Sequence, residues 1–224
     1  MIHRARAVGV LFVLVLSAAA LSGGCVFLGI ASKIAPPPTV DAAYKGLGHQ
    51  KTAVMVWSDR AMQINWPRLQ EDLSRGISTR IKQAVDMKDP PKFLEGATFA
   101  MPESVTRFQH DHPENDTQDI AVVAPKMDVT RLIYVEIVSF DTRPESSLEL
   151  FRGSIAINLK VLEVSESKAK VVYQKDDMTL KFPEKGPEEG SPGLTDALVY
   201  EKTIEACAIE VANLFVPHPA PDAD

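Results

Sequence analysis

The chain has 224 residues, 45% of them hydrophobic and 24% charged, which suits one globular domain once a leader is set aside. Its formal net charge is −6, from 24 basic and 30 acidic side chains; without Arg4 and Arg6 of the leader it is 22 − 30 = −8. An acidic domain repels phosphate backbones, which argues against nucleic-acid binding.

Arg4 and Arg6 form a short basic start, and "VGVLFVLVLSAAA" (Val8 to Ala20) is an apolar run of signal-peptide length. Small residues follow, then Cys25. The segment resembles a bacterial lipoprotein leader, in which the peptidase cuts before a cysteine whose thiol carries diacylglycerol. Gly23 and Gly24 fit that pattern; Ser22 stands where Leu is usual, with Leu21 one place further out. Two other readings stay open. Cleavage after Ala18 to Ala20 would release a soluble chain, and the uncharged stretch from Ala7 to Ser32 is long enough to remain as a membrane anchor. All three place the globular part outside the cytoplasm, because the basic end stays inside. Residues 1–24 are therefore read as signal peptide, Cys25 as the lipidation (palmitate) site, and 25–50 as a lipid-anchored linker in which "APPPTV" (Ala35 to Val40) is a stiff spacer. Val26 after Cys25, in place of Asp, gives no inner-membrane retention signal, which points to the outer membrane. A lipidated Cys25 leaves Cys207 without a disulfide partner, so the fold must stand on its core.

"KTAVMVWSD" (Lys51 to Asp59) reads as a strand buried on both faces. "NWPRLQEDLSRGISTRIKQAV" (Asn65 to Val85) reads as a helix with Pro67 in its first turn and an apolar stripe at Leu69, Leu73, Ile77, Ile81 and Val85. Residues 86 to 118 read as loop, with a short helix or strand near "DIAVVAP". "RLIYVEIVSF" (Arg131 to Phe140) is rich in β-branched and aromatic residues, as strands are. "SIAINLKVLEV" alternates, with Ile155, Ile157, Leu159 and Val161 on one face. Leu148 and Leu150 have the opposite parity, so a bulge is expected near Gly153. "SESK" (Ser165 to Lys168) is a turn and "AKVVYQKDDMTLKF" the returning strand. A last helix runs over about Leu194 to Phe215, with Ile204, Cys207, Ala208, Val211, Leu214 and Phe215 on one face; Cys207 sits where an inert buried thiol belongs. The fold class is α+β: a mostly antiparallel sheet with two main helices packed on one face, preceded by a lipoprotein-type leader. One domain spans 51–216 and a flexible tail 217–224.

A leader ending in Cys, "TAVMVW", an amphipathic helix, "LIYVEIV", a long hairpin and a closing "TIEACAIEVANLF" follow one another. This succession, over about residues 51 to 216, resembles the envelope lipoproteins related to the curli-secretion channel and the penicillin-binding-protein activators, whose domain is similar to the amino-terminal domain of TolB. The resemblance implies a non-catalytic module that assembles or regulates envelope machinery. It implies envelope protein partners or self-association, a membrane held through the lipid, and no cofactor. Glu149, Arg152, Asn158 and Lys160 on one face of the hairpin argue against a membrane-inserted pore.

"HDHPEND" (His110 to Asp116) is the cluster with ligand potential. His110 and His112 would share a face if extended, and Asp116 adds an oxygen donor. The alternative function is accordingly a metal- or small-ligand-binding periplasmic protein using the His110–His112 loop. No Gly-x-Ser-x-Gly elbow or phosphate-binding glycine loop is present.

Overall fold

A computed structural model describes residues 38–144 and 149–220. The leader with Cys25, and Leu148, lie outside the described residues. The chain divides into two compact units, residues 1–40 with 219–224, and Asp41–His218. In the first, strand β1 is Thr39–Val40, and the Ala220 N–H donates to the Pro38 carbonyl at 2.7 Å.

Among its described residues the second unit carries a sheet of five strands: β2 (Lys51–Trp57), β3 (Thr98–Phe99), β4 (Arg131–Asp141), β5 (Gly153–Val164) and β6 (Ala169–Phe182). They form one sheet in the order β3-β2-β4-β5-β6. The sheet is mixed: β2 is parallel to both β3 and β4, whereas β4–β5 and β5–β6 are antiparallel. The architecture is α+β, as the sequence reading has it.

Helix α1 is Arg60–Asn65, α2 Leu69–Val85, α3 Pro102–Asp111, α4 Ile120–Val123 and α5 Asp196–Asn213. The stripe of α2 is real: Leu69, Leu73, Ile77 and Ile81 are fully buried. Each such side chain contributes roughly 1.5–3 kcal/mol on leaving water. They pack with α5 residues Ile204, Cys207, Ala208 and Val211 over one sheet face made by Val54, Val56, Ile133, Val135, Ile155, Ile157, Leu159 and Val161. This is the expected pair of main helices on one face. The opposite face is also covered. Ala53, Met55, Leu132, Leu162 and Val164 pack under Val105 of α3, Ala124 and Val129. That second layer is why "TAVMV" is an unbroken apolar run: its alternate residues enter two different cores.

Two sequence expectations need correction. Residues 86 to 118 are not all loop, since α3 and a 3-10 helix over Pro113–Thr117 lie there. The bulge expected near Gly153 is absent among the described residues; β5 simply begins there, paired with Phe182. Register shifts occur instead between Ile137 and Ser139 of β4, and twice in β6. Pairing steps from Leu159↔Lys175 to Ile157↔Met178, so Asp176 and Asp177 together oppose Asn158. Asp177 takes a φ of 56°, and its N–H donates to Asn158 Oδ1 at 3.1 Å. Among the described residues, no helix is long and apolar enough to cross a membrane.

Cys207 is fully buried, and burial pushes its thiol up to about 12. A protonated, covered thiol is a poor nucleophile. The Cys207 peptide should therefore stay unmodified when the folded chain is treated with iodoacetamide and become alkylated in urea. Rapid alkylation of the folded chain would contradict the burial.

Candidate functional site

The site starts at the dipeptide Trp66-Pro67. Asp59 caps α1 by accepting from the Met62 N–H at 2.8 Å. Proline disfavours helical geometry in the residue before it. Trp66 accordingly leaves the helix, with φ −134° and ψ 68°, and the chain re-enters helix at Leu69. Its indole is thereby set beside α5, where Asp196 and Tyr200 share a face at i, i+4 spacing.

Trp66 and Tyr200 stack, with centroids 5.5 Å apart and planes 22° apart. The buried Phe140 of β4 meets both edge-on, at 5.1 and 5.6 Å. Such arrangements suit the ring quadrupoles. Pro67, Arg68, Asp72, Asp196 and Ala197 complete the lining of an open cleft of about 260 Å³.

The carboxylates at its rim are partnered. Tyr200 donates its hydroxyl to Asp72 Oδ2 at 3.1 Å, and Arg68 Nη2 donates to Asp72 Oδ1 at 3.3 Å. Arg75 adds an ion pair to Asp72 at 3.6 Å. Burial, then the Asp72 charge, holds the Tyr200 hydroxyl well above the usual phenol range, so it is a donor at neutral pH. Asp196 Oδ1 accepts from Thr142 Oγ1 at 2.8 Å and Arg143 Nε at 3.1 Å, and Oδ2 accepts from Arg143 Nη2. The Arg143 guanidinium holds the Asp196 carboxyl below the usual range, and itself lies 4.7 Å from the Phe151 ring centre. By contrast, the indole N–H of Trp66 has no acceptor among the described residues.

The residues singled out in the sequence lie elsewhere. His110 is in the last turn of α3, exposed, 3.7 Å from Asp111. His112 has already left that helix; its Nδ1 is 3.0 Å from Glu114 Oε1, and its ring is 5.0 Å from Phe108. Asp116 is exposed in the 3-10 helix. The extended segment on which the two histidines would share a face is thus a helix end. Among the described residues, no three His, Cys, Asp or Glu side chains gather as a metal site. Cys25 lies outside the described residues. The sequence reading missed Trp66, Asp72, Asp196 and Tyr200; the only local signal was the Trp-Pro pair.

No protein-family model matches the chain, and no curated protein does. Among solved structures it is similar to the PelC dodecamer from Paraburkholderia phytofirmans, at 7% identity over 81% of this chain and 98% of that chain, with a TM-score of 0.41. A single-substitution form of that protein gives 9% identity at the same coverage and a TM-score of 0.40. The hypothetical protein CT253 from Chlamydia trachomatis is 15% identical over 72% of this chain and 98% of that chain, with a TM-score of 0.31. Likenesses of this degree assign no function.

Proposed function

We propose that the chain is a lipid-anchored, non-catalytic module of a bacterial cell envelope, facing the periplasm and acting by binding other envelope components. One observation carries the reading: Arg4 and Arg6, then the apolar run Val8 to Ala20, then Gly23-Gly24-Cys25. A lipidated Cys25 would hold the chain at the membrane firmly, because several acyl chains exceed the two-signal threshold for stable attachment. Support also comes from the sequence's resemblance to envelope assembly lipoproteins and from an open cleft of about 260 Å³ lined by the stacked Trp66 and Tyr200 rings.

The test is metabolic labelling with an alkyne-bearing palmitate analogue. The native chain should take up label and fractionate with membranes. Cys25→Ala should lose the label and either accumulate as precursor or leave the membrane fraction. A Cys25→Ala chain that still fractionates as a mature membrane protein would overturn the reading.

A further inference from the structure

We infer that the Asp176–Asp177 bulge and the lysines of β6 form a guard that keeps this edge of the sheet from pairing with the β6 of a second copy. The guard does not depend on the anchoring reading; the contrast between the two edges of the sheet carries it.

A sheet edge presents a row of unpaired backbone N–H and C=O groups, ready to template another strand. The β2 edge is closed from outside. Strand β3 pairs with it over two residues, Lys51↔Thr98 and Thr52↔Phe99. Beyond them the Val54 carbonyl accepts from Ser74 Oγ at 2.8 Å, and the Val56 carbonyl from Gln109 Nε2 at 2.9 Å. Side chains of α2 and α3 thus give these carbonyls the donors that a neighbouring strand would give.

The β6 edge has no such cover, since among the described residues no strand lies outside it. It is 14 residues long and exposes Val171 and Val172 beside Tyr173, residue types that favour strand pairing. Its protection is built into its own backbone and charge. Pairing steps from Val161↔Tyr173 to Leu162↔Val171, which leaves Val172 over, and further on Asp176 and Asp177 together oppose Asn158. Asp177 enters the left-handed region at φ 56°, and its N–H turns onto Asn158 Oδ1. An added antiparallel strand needs outward groups in regular alternation, and a bulge breaks that alternation. The two shifts cut β6 into residues 169–171, 173–175 and 178–182. Each stretch carries one exposed lysine: Lys170, Lys175 and Lys181. Lysines on an edge disfavour the approach of another strand. Pro183 then follows β6 with a residue that has no N–H to offer.

The test is deletion of Asp177 from the full-length chain. Every existing β5–β6 pair is left in place and Asn158 gains a single partner, so the fold is kept while the outer edge runs unbroken over residues 173–182. Sedimentation equilibrium in density-matched detergent micelles should show self-association about tenfold tighter than in the native chain, as a net hydrogen bond or two would supply. Adding Thr179→Pro to the deletion should reverse this. Val164 gives its N–H to Thr130 on the β4 side, and alternation turns Ala156 the same way, so its partner Thr179 points its own N–H outward. A proline there blocks an added strand and spares the β5 ladder. Self-association of the deletion variant no tighter than native would overturn the inference. So would association that Thr179→Pro leaves unchanged, or association of the native chain that Thr179→Pro weakens. If the deletion abolishes the cooperative urea transition, the triple variant Lys170→Thr, Lys175→Thr, Lys181→Thr takes its place. It leaves the backbone alone and should associate more tightly than the native chain; unchanged association would equally overturn the guard.

Discussion

Gly153→Ala is expected to destabilise the domain by about 3 kcal/mol or more, the upper end of what overpacking costs. Gly153 is buried at the start of β5, hydrogen-bonded into the sheet and lying directly under α5. A Cβ there would sit 1.8 Å from Thr203 Oγ1 and 3.0 Å from both Thr203 Cβ and Val199 Cγ1. Thr203 cannot swing aside freely, because it is fully buried and its hydroxyl donates to the Val199 carbonyl at 2.6 Å. Either α5 lifts from the sheet or the strand shifts, and both loosen the main core. Removing the hydroxyl relieves the worst contact. Thr203→Ala alone should cost about 1 kcal/mol through its lost hydrogen bond. Combined with Gly153→Ala it should restore part of the loss, with a coupling of about 1–2 kcal/mol. Urea midpoints of the four chains measure this directly. Additive effects, or a Gly153→Ala cost below about 0.5 kcal/mol, would show that the helix does not press on this glycine.

The same glycine shows where sequence reasoning succeeds and where it stops. Its oddity in a strand was legible, but close approach of a helix and a bulge leave the same mark in one dimension. Elements that face the larger core were legible because a single periodicity runs through them: Leu69, Leu73, Ile77 and Ile81 on α2, or Ile155, Ile157, Leu159 and Val161 on β5. Helix α3 has one buried residue, Val105, and α1 has none, so neither writes an apolar stripe. Their marks were caps and first-turn residues instead: Asp59 before α1, Pro102 and Glu103 opening α3. The cleft was not legible for a different reason. Tyr200 and the Asp72 it bonds to are 128 positions apart, and only the fold brings α5 beside the start of α2. The His110–His112 cluster had the opposite character. Its residues are neighbours in sequence, but a helix end turns them to separate partners, Asp111 and Glu114.

Leu47→Ala should cost about 2–5 kcal/mol, the range for emptying a fully buried leucine site. From sequence, residues 25–50 read as linker, and a linker leucine would be worth almost nothing. In the structure the compact unit starts at Asp41, and Leu47 is fully buried in the main core. The backbone around it is tied on both sides. The Tyr44 N–H donates to the Leu214 carbonyl at 2.8 Å, the His49 N–H to Glu95 at 2.8 Å, and the Gln50 carbonyl accepts from Thr98 at 2.9 Å. Tyr44 also packs its ring on Phe215 and Tyr173, 5.9 and 5.7 Å away. Leu47 thus closes the core from the side of α5's carboxyl end, where Phe215 lies. Lys45→Ala is the control, since Lys45 is half exposed and its ion pair with Asp41 is a surface one, expected to shift stability by no more than about 0.5–1 kcal/mol. A large fall in urea midpoint for Leu47→Ala, with an unchanged slope and a near-native Lys45→Ala, would place the true start of the folded domain ahead of Lys51. Equal, small effects would return the segment to the linker. The distinction sets the spacer that the proposed anchoring at Cys25 would need: counting Asp41 to Gln50 as structure shortens it by ten residues.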